Sequence, residues 1–282
     1  GVLAGVGVNA YGGVYWEGDH PRNLATWLRR YPHLAAHRKK STWPNASGRE
    51  IACPSKPENV AWAQESLKWL LTDFDVAGVN LETGDYGLCD CDECRKAGAD
   101  RSGASAFDDI ARVLPPVIEA AFRARPDALV TYATYAPFTA AHAATSPAFA
   151  RTIPPQAVCQ WTLTPMIGPE AGQWPDGLRP TARRNVGFSH WGSQWTSPNT
   201  RHRYLLNHIA DICRRAQGSG LEGVFIHGEV SPTDDFAWQL NYTTFAHFLR
   251  SPGDSLAGFA RASLAERFGG PHQAVEALRF LT

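Results

Sequence analysis

Short, continuous apolar runs alternate along this chain with longer stretches of helical periodicity. The runs are Val2–Ala10, Val76–Glu82, Ala128–Tyr135, Ala157–Leu163, Asn185–Trp191 and Leu221–Glu229, each bounded by turn residues or by polar residues. Runs of this length, apolar throughout rather than on alternate positions, predict strands buried on both faces. Between them lie helical stripes. Ser55, Pro57 and Glu58 read as a helix start with Ser55 as the cap, and Val60, Ala63, Leu67, Leu70, Leu71 and Phe74 follow at helical spacing. Phe107, Ile110 and Leu114 form another stripe, which Pro115-Pro116 is expected to break or kink before Val117, Ile118, Ala121 and Phe122 resume it. Asn23 to Arg30 reads as a short helix, and Arg201 to Gln217 as a longer one stopped by Gly218-Ser-Gly220. After Trp238 the chain reads as helical to its end.

Strand–helix alternation of this kind argues for an α/β fold with a parallel sheet covered on both faces. The expected architecture is a (β/α)8 TIM-like barrel, incomplete at the N-terminus because only six strands are visible. Residues 1–250 are assigned to the barrel and 251–282 to a C-terminal helical extension. An open doubly wound sheet is the other architecture. Neither a Gly-x-Gly-x-x-Gly turn nor a phosphate loop follows any strand, so its nucleotide-binding version gains no support.

The polar and aromatic residues gather at the C-terminal ends of these strands, where such folds build their sites. Glu82 closes one strand and Glu229 another, and Asp85 follows Glu82 by three residues. Glycoside cleavage needs two carboxyl groups, one to protonate the leaving oxygen and one to attack or to activate water. An apolar run before each glutamate implies partial burial, which suits a general acid. The reading is therefore Glu82 as acid, Glu229 as nucleophile or base, and Asp85 in support. Trp16, Tyr86, Tyr135, Trp161, His190, Trp191 and His227 stand at or beyond strand ends and are the candidates for sugar contacts. Each of these acids, aromatics and histidines also has a plain structural reading, as an ion pair, a core ring or a backbone-bonded histidine.

Cys89-x-Cys-x-x-Cys94 brings three thiols together a few residues after Glu82, with Cys53 as a fourth ligand for a tetrahedral ion. A structural zinc, a disulfide from Cys53 to one of the three, and free thiols are all compatible with that spacing. Four thiolates would close the shell of an ion, so the role expected of the cluster is structural and no cofactor is assigned to catalysis. Cys159 and Cys213 lie within apolar runs and read as buried thiols.

Composition narrows the partners. Lys plus Arg and Asp plus Glu both number 27, so the formal net charge is zero and no basic field favours nucleic acid or an anionic membrane. No apolar run reaches the length of a membrane span. The ten Trp, eight Tyr and thirteen Phe suit flat, uncharged ligands, and a carbohydrate is the expected one. Gly1-Val-Leu-Ala lacks the basic start of a signal peptide. Both ends read as cut, and a secreted or periplasmic setting is the expectation.

Several segments resemble a known family. Cys53-Pro-Ser-x-Pro-Glu58 before a helix, then strand, acid and Cys89-x-Cys-x-x-Cys94, resembles the catalytic barrels of bacterial glycosidase-like proteins long classed as a domain of unknown function. His20-Pro21, Tyr31-Pro32-His33-Leu-Ala, Asn241-Tyr242 through Ser251-Pro252, and Arg267-Phe-Gly-Gly270 resemble further segments of that family. The resemblance is good over residues 15 to 100 and loose elsewhere. It implies a barrel related to the α-glucuronidases, with two strands preceding the first seen here. Endo-β-N-acetylglucosaminidase activity on N-glycans is known for some members. The family's turn before the cysteines is Asp-rich, whereas here it is Glu82-Thr-Gly-Asp85. If the substrate carries an N-acetyl group, Glu82 and Asp85 would be the working pair and Glu229 would bind substrate. The other readings are a non-catalytic carbohydrate-binding barrel and a metal-dependent hydrolase using the cysteine cluster.

Overall fold

The structure, a computed structural model, describes residues 5–9, 19–37, 51–82, 89–97, 112–133, 151–162, 184–189, 204–226 and 236–281. The chain divides into two compact units, Gly1–Gln160 with Pro180–Arg184, and Trp161–Arg179 with Asn185–Thr282.

The first unit is built on parallel strands β1 (Gly5–Asn9), β2 (Gly78–Glu82) and β3 (Leu129–Ala133) and on the first three residues of β4 (Val158–Thr162). β1 pairs with β2, β2 with β3, and β3 with β4, so chain order is spatial order. Parallel neighbours need a crossover, and helices supply it. α1 (Leu24–Arg30) and α2 (Pro57–Asp73) separate β1 from β2; α3 (Asp92–Ala97) and α4 (Leu114–Ala124) separate β2 from β3. α2 packs on α4, and Gln64 Nε2 donates to the Pro116 carbonyl at 2.9 Å.

The apolar pattern explains most of this layer. Val79 and Leu81 of β2, Val130 and Tyr132 of β3, and Cys159 of β4 are buried. In α2 the buried positions are Asn59, Ala63, Leu67 and Leu71, one every four residues. Phe74 departs from the predicted stripe: the helix ends at Asp73, so the helical period no longer places it, and it is 47% exposed. Pro115 and Pro116 depart as well. They sit in the first turn of α4, where no backbone N–H is needed, so the expected break falls just ahead of Leu114 rather than at the prolines. Ser55 is not the cap of α2; Lys56 holds that position with no side-chain bond.

Asn59 is the one buried polar residue on the α2 stripe, and its amide is fully used. Its Nδ2 donates to the carbonyls of Leu34 at 2.8 Å and Cys53 at 3.0 Å, and its Oδ1 accepts from Trp27 Nε1 at 2.9 Å. It ties α1, the turn at Leu34 and the Cys53 segment to α2. Asn59→Ala leaves three groups without this partner, and a loss of about 3 kcal/mol is expected at about 1 kcal/mol for each. Thermal denaturation checks it; a melting point within a degree of wild type would show that the amide is dispensable.

Gly78 starts β2 at a close approach. A Cβ there would stand 2.0 Å from the Leu129 carbonyl oxygen of the paired strand, which is backbone and cannot rotate away. Gly78→Ala is expected to cost about 3 kcal/mol or more, as overpacking against a fixed neighbour does. An unchanged denaturant midpoint would contradict that geometry.

The second unit contains parallel strands β5 (Arg184–Ser189) and β6 (Val224–Ile226), joined through α5 (Leu206–Gly218). Then come α6 (Phe236–Arg250), α7 (Leu256–Phe259), a π-helical turn (Ala260–Leu264), α8 (Ala265–Phe268) and α9 (Pro271–Leu281). Residues 256–281 share one core with α5 and α6, formed by Leu206, Ala210, Leu240, Phe248, Phe259, Ala260, Leu264, Ala274 and Leu278 among others. Buried Asn241 of α6 accepts from the Leu205 backbone N–H at 2.9 Å and so satisfies a donor at the start of α5. Among the described residues, no helix is long and apolar enough to cross a membrane.

Candidate functional site

The site is best followed from β2 outward. Val79 and Leu81, 2% and 0% exposed, anchor the strand in the core. Asn80 sits between them in sequence, and its Oδ1 accepts from Thr131 Oγ1 of β3 at 2.6 Å. Glu82 is the last residue of β2, paired in register with Asn9 of β1. Its backbone is thus at the C-terminal end of a parallel strand, and its side chain lies outside the description. Trp161 is in β4, likewise with backbone alone described. Trp16, Asp85, Tyr86, Tyr135, His190, Trp191, His227 and Glu229 lie outside the described residues.

Beyond the strand, the chain returns at Cys89, and here the geometry is complete. Cys53, Cys89, Cys91 and Cys94 converge so that all four sulfurs lie within 4.8 Å of one another. The Cys53 Sγ is 3.6 Å from that of Cys89, 3.7 Å from that of Cys91 and 3.7 Å from that of Cys94. These separations far exceed a covalent sulfur–sulfur bond of about 2.05 Å. None of the six cysteines forms a disulfide in this structure.

Two backbone segments build the cluster. Cys53 N–H donates to the Leu34 carbonyl at 3.0 Å and Ala36 N–H to the Ile51 carbonyl at 2.7 Å, a short antiparallel contact that fixes Cys53. Cys91-x-x-Cys94 turns into α3, with the Cys94 N–H donating to the Cys91 sulfur at 3.4 Å. Asp90 N–H donates to the His37 carbonyl and holds the second segment to the first.

Polar groups surround the sulfurs. The hydroxyl of Ser55 lies 3.0 Å from Cys94 Sγ, and Arg112 donates to Ser55 Oγ at 2.9 Å and to Cys94 Sγ at 3.6 Å. Lys56 pairs with Glu93 at 2.9 Å, and Arg95 pairs with Asp90 and Asp92. An open pocket of about 410 Å³ adjoins Cys53 and Cys91, rimmed by His33, His37, Lys56, Asp90 and Arg95. The thiols differ in acidity. The hydrogen bond with Cys53 lowers Cys89 to about 5, against burial and with help from the backbone N–H groups of Cys91 and His37. The same contact pushes Cys53 up, and burial raises Cys94. Cys159 and Cys213, outside the cluster, are raised by burial to about 12 and about 11.

Sequence reasoning found the four cysteines but missed Arg112 and read Ser55 as a helix cap, whereas its hydroxyl meets Cys94. Arg112 is 18 residues past Cys94, in no local pattern.

Comparison with known proteins extends the fold. No protein-family model matches the sequence, and no curated protein matches it. Among solved structures, α-L-fucosidase isoenzyme 2 from Paenibacillus thiaminolyticus is similar with a TM-score of 0.50 and 13% identity, over 79% of this chain and 35% of that one. The chitobiase of Flavobacterium johnsoniae gives a TM-score of 0.48 and 9% identity, over 89% of this chain and 38% of that one. The chain spans about a third of the length of these glycosidases. The likeness to the fucosidase shows the fold: α/β, with parallel strands and helices between them.

Proposed function

We propose that the chain is a glycoside hydrolase that cleaves a glycosidic bond in an oligosaccharide or glycan, with Glu82 protonating the leaving oxygen. The observation that carries this reading is the place of Glu82. It ends a parallel strand in which Val79 and Leu81 are buried, in a fold shared with an α-L-fucosidase. Reacting groups in such folds stand at C-terminal strand ends. Alternation along a strand aligns position 82 with position 80, where Asn80 and Thr131 already form a polar pair.

Glu229 is the second carboxyl of the proposal, as nucleophile or base. With an N-acetylated sugar, Asp85 takes the partner role and Glu229 binds substrate. Trp16, Tyr86, Tyr135, Trp161, His190, Trp191 and His227 are the proposed sugar contacts. The test is release of reducing ends by the full chain from a panel of aryl glycosides and N-glycans. Release is expected. Saturable glycan binding with no release would replace this reading by that of a carbohydrate-binding barrel.

A further inference from the structure

The four cysteine sulfurs stand against one another. Cys53, Cys89 and Cys94 are 1%, 0% and 0% exposed, and among the described residues Ala36 and Cys91 are the partly buried apolar residues packed on them. Two chain segments, 36 to 41 residues apart, are drawn together to place sulfur against sulfur. Thiol contacts are weak, so this convergence asks for a stronger partner. A single zinc ion with sulfurs at about 2.3 Å would set the edge of its tetrahedron at about 3.8 Å. The three separations from Cys53, 3.6, 3.7 and 3.7 Å, match that edge.

We propose that Cys53, Cys89, Cys91 and Cys94 bind one zinc ion, which pins the Cys89–Cys94 segment to the segment that precedes α2. Three observations choose this among metal centres. In an iron–sulfur cube each thiolate binds its own iron, so the ligand sulfurs stand further apart than a single tetrahedron allows. Four thiolates leave no open position, so the ion is structural and activates no water. Zinc with four thiolates carries two negative charges, and cationic Arg112, through Ser55 and directly at Cys94, stands where it offsets them. Arg112 is the outer partner that orients and tunes the ligand Cys94. The cluster lies wholly within the first unit, so the site depends neither on the sugar nor on Glu229.

The experiment is elemental analysis of the full chain, reduced and then exchanged into metal-free buffer, before and after loading with zinc. One zinc per chain is expected, bound with four sulfur neighbours by X-ray absorption. Mercurial titration should release it in step with cluster thiols. Cys159→Ala, a thiol elsewhere in the fold, should keep full zinc. Arg112→Ala retains all four ligands and should weaken zinc by about 10–100-fold in competition with a chelating dye. Failure of the reduced chain to take up zinc, iron in its place, or more than one ion per chain would each overturn the assignment. Unchanged affinity in Arg112→Ala would overturn the outer role of that residue.

Discussion

Glu82→Gln is expected to lower glycoside turnover by about 10²- to 10⁴-fold, the usual worth of a positioned proton donor. Gln keeps the size of the side chain and can still hydrogen-bond to a sugar, but it has no proton to give. The fold is expected to survive. β2 is held by backbone pairing with β1 and β3 and by buried Val79 and Leu81, none of which depends on the Glu82 carboxyl. The melting temperature should therefore match that of wild type, and KM should move less than kcat. Undiminished turnover would remove Glu82 from the role. Loss of turnover together with unfolding would locate the effect in the strand rather than in the chemistry.

Stripping zinc from the full chain is expected to lower its melting temperature by roughly 10–20 °C. That assumes about 5 kcal/mol from the ion, well below the whole folding energy of a zinc finger, and about 2–4 °C per kcal/mol for a domain of this size. The reasons are local. Without the ion, three buried thiols and one partly exposed thiol face one another with no cation at the centre. The antiparallel contact at Ala35 and Ala52 and the Asn59 hydrogen bonds then hold the Cys53 segment unaided. Readdition of zinc should restore the melting point. A melting point indifferent to chelation would mean that the thiol cluster is sufficient in itself.

The strands were legible because a buried parallel strand has no polar face to disguise it. Each predicted run contains its observed strand, apart from Arg184 at the start of β5. Helix positions were legible where one period governs, as at Leu67, Ile209, Ile212 and Ala216. They failed where the period stops, at Phe74, and were displaced at Pro115, where the break precedes Leu114 and the prolines open the next helix. The cysteine cluster was legible from spacing alone, since Cys-x-Cys-x-x-Cys leaves three thiols little room to part. Its fourth member follows from proximity in space, which the pairing of Cys53 with Leu34 sets. Asn59 and Arg112 were not legible. A polar residue on an apolar stripe looks like an interruption until its three partners are seen, and an arginine acting on a cysteine 18 residues away follows no local rule. Ser55 was misread because a serine before proline is a common cap; here its hydroxyl serves Cys94 instead. Glu82 was placed at its strand end by sequence and is there in the fold.

The claim that Glu82 donates the proton is tested most directly by varying the leaving group. Aryl glycosides with a strongly acidic phenol depart without protonation, whereas natural sugar leaving groups need it. Turnover of wild type and Glu82→Gln should be compared on two substrates with the same sugar, a dinitrophenyl glycoside and an alkyl glycoside. The variant is expected to be nearly as fast as wild type in the glycosidic cleavage of the first and severely slowed on the second. Equal losses on both substrates would contradict a proton donor at Glu82.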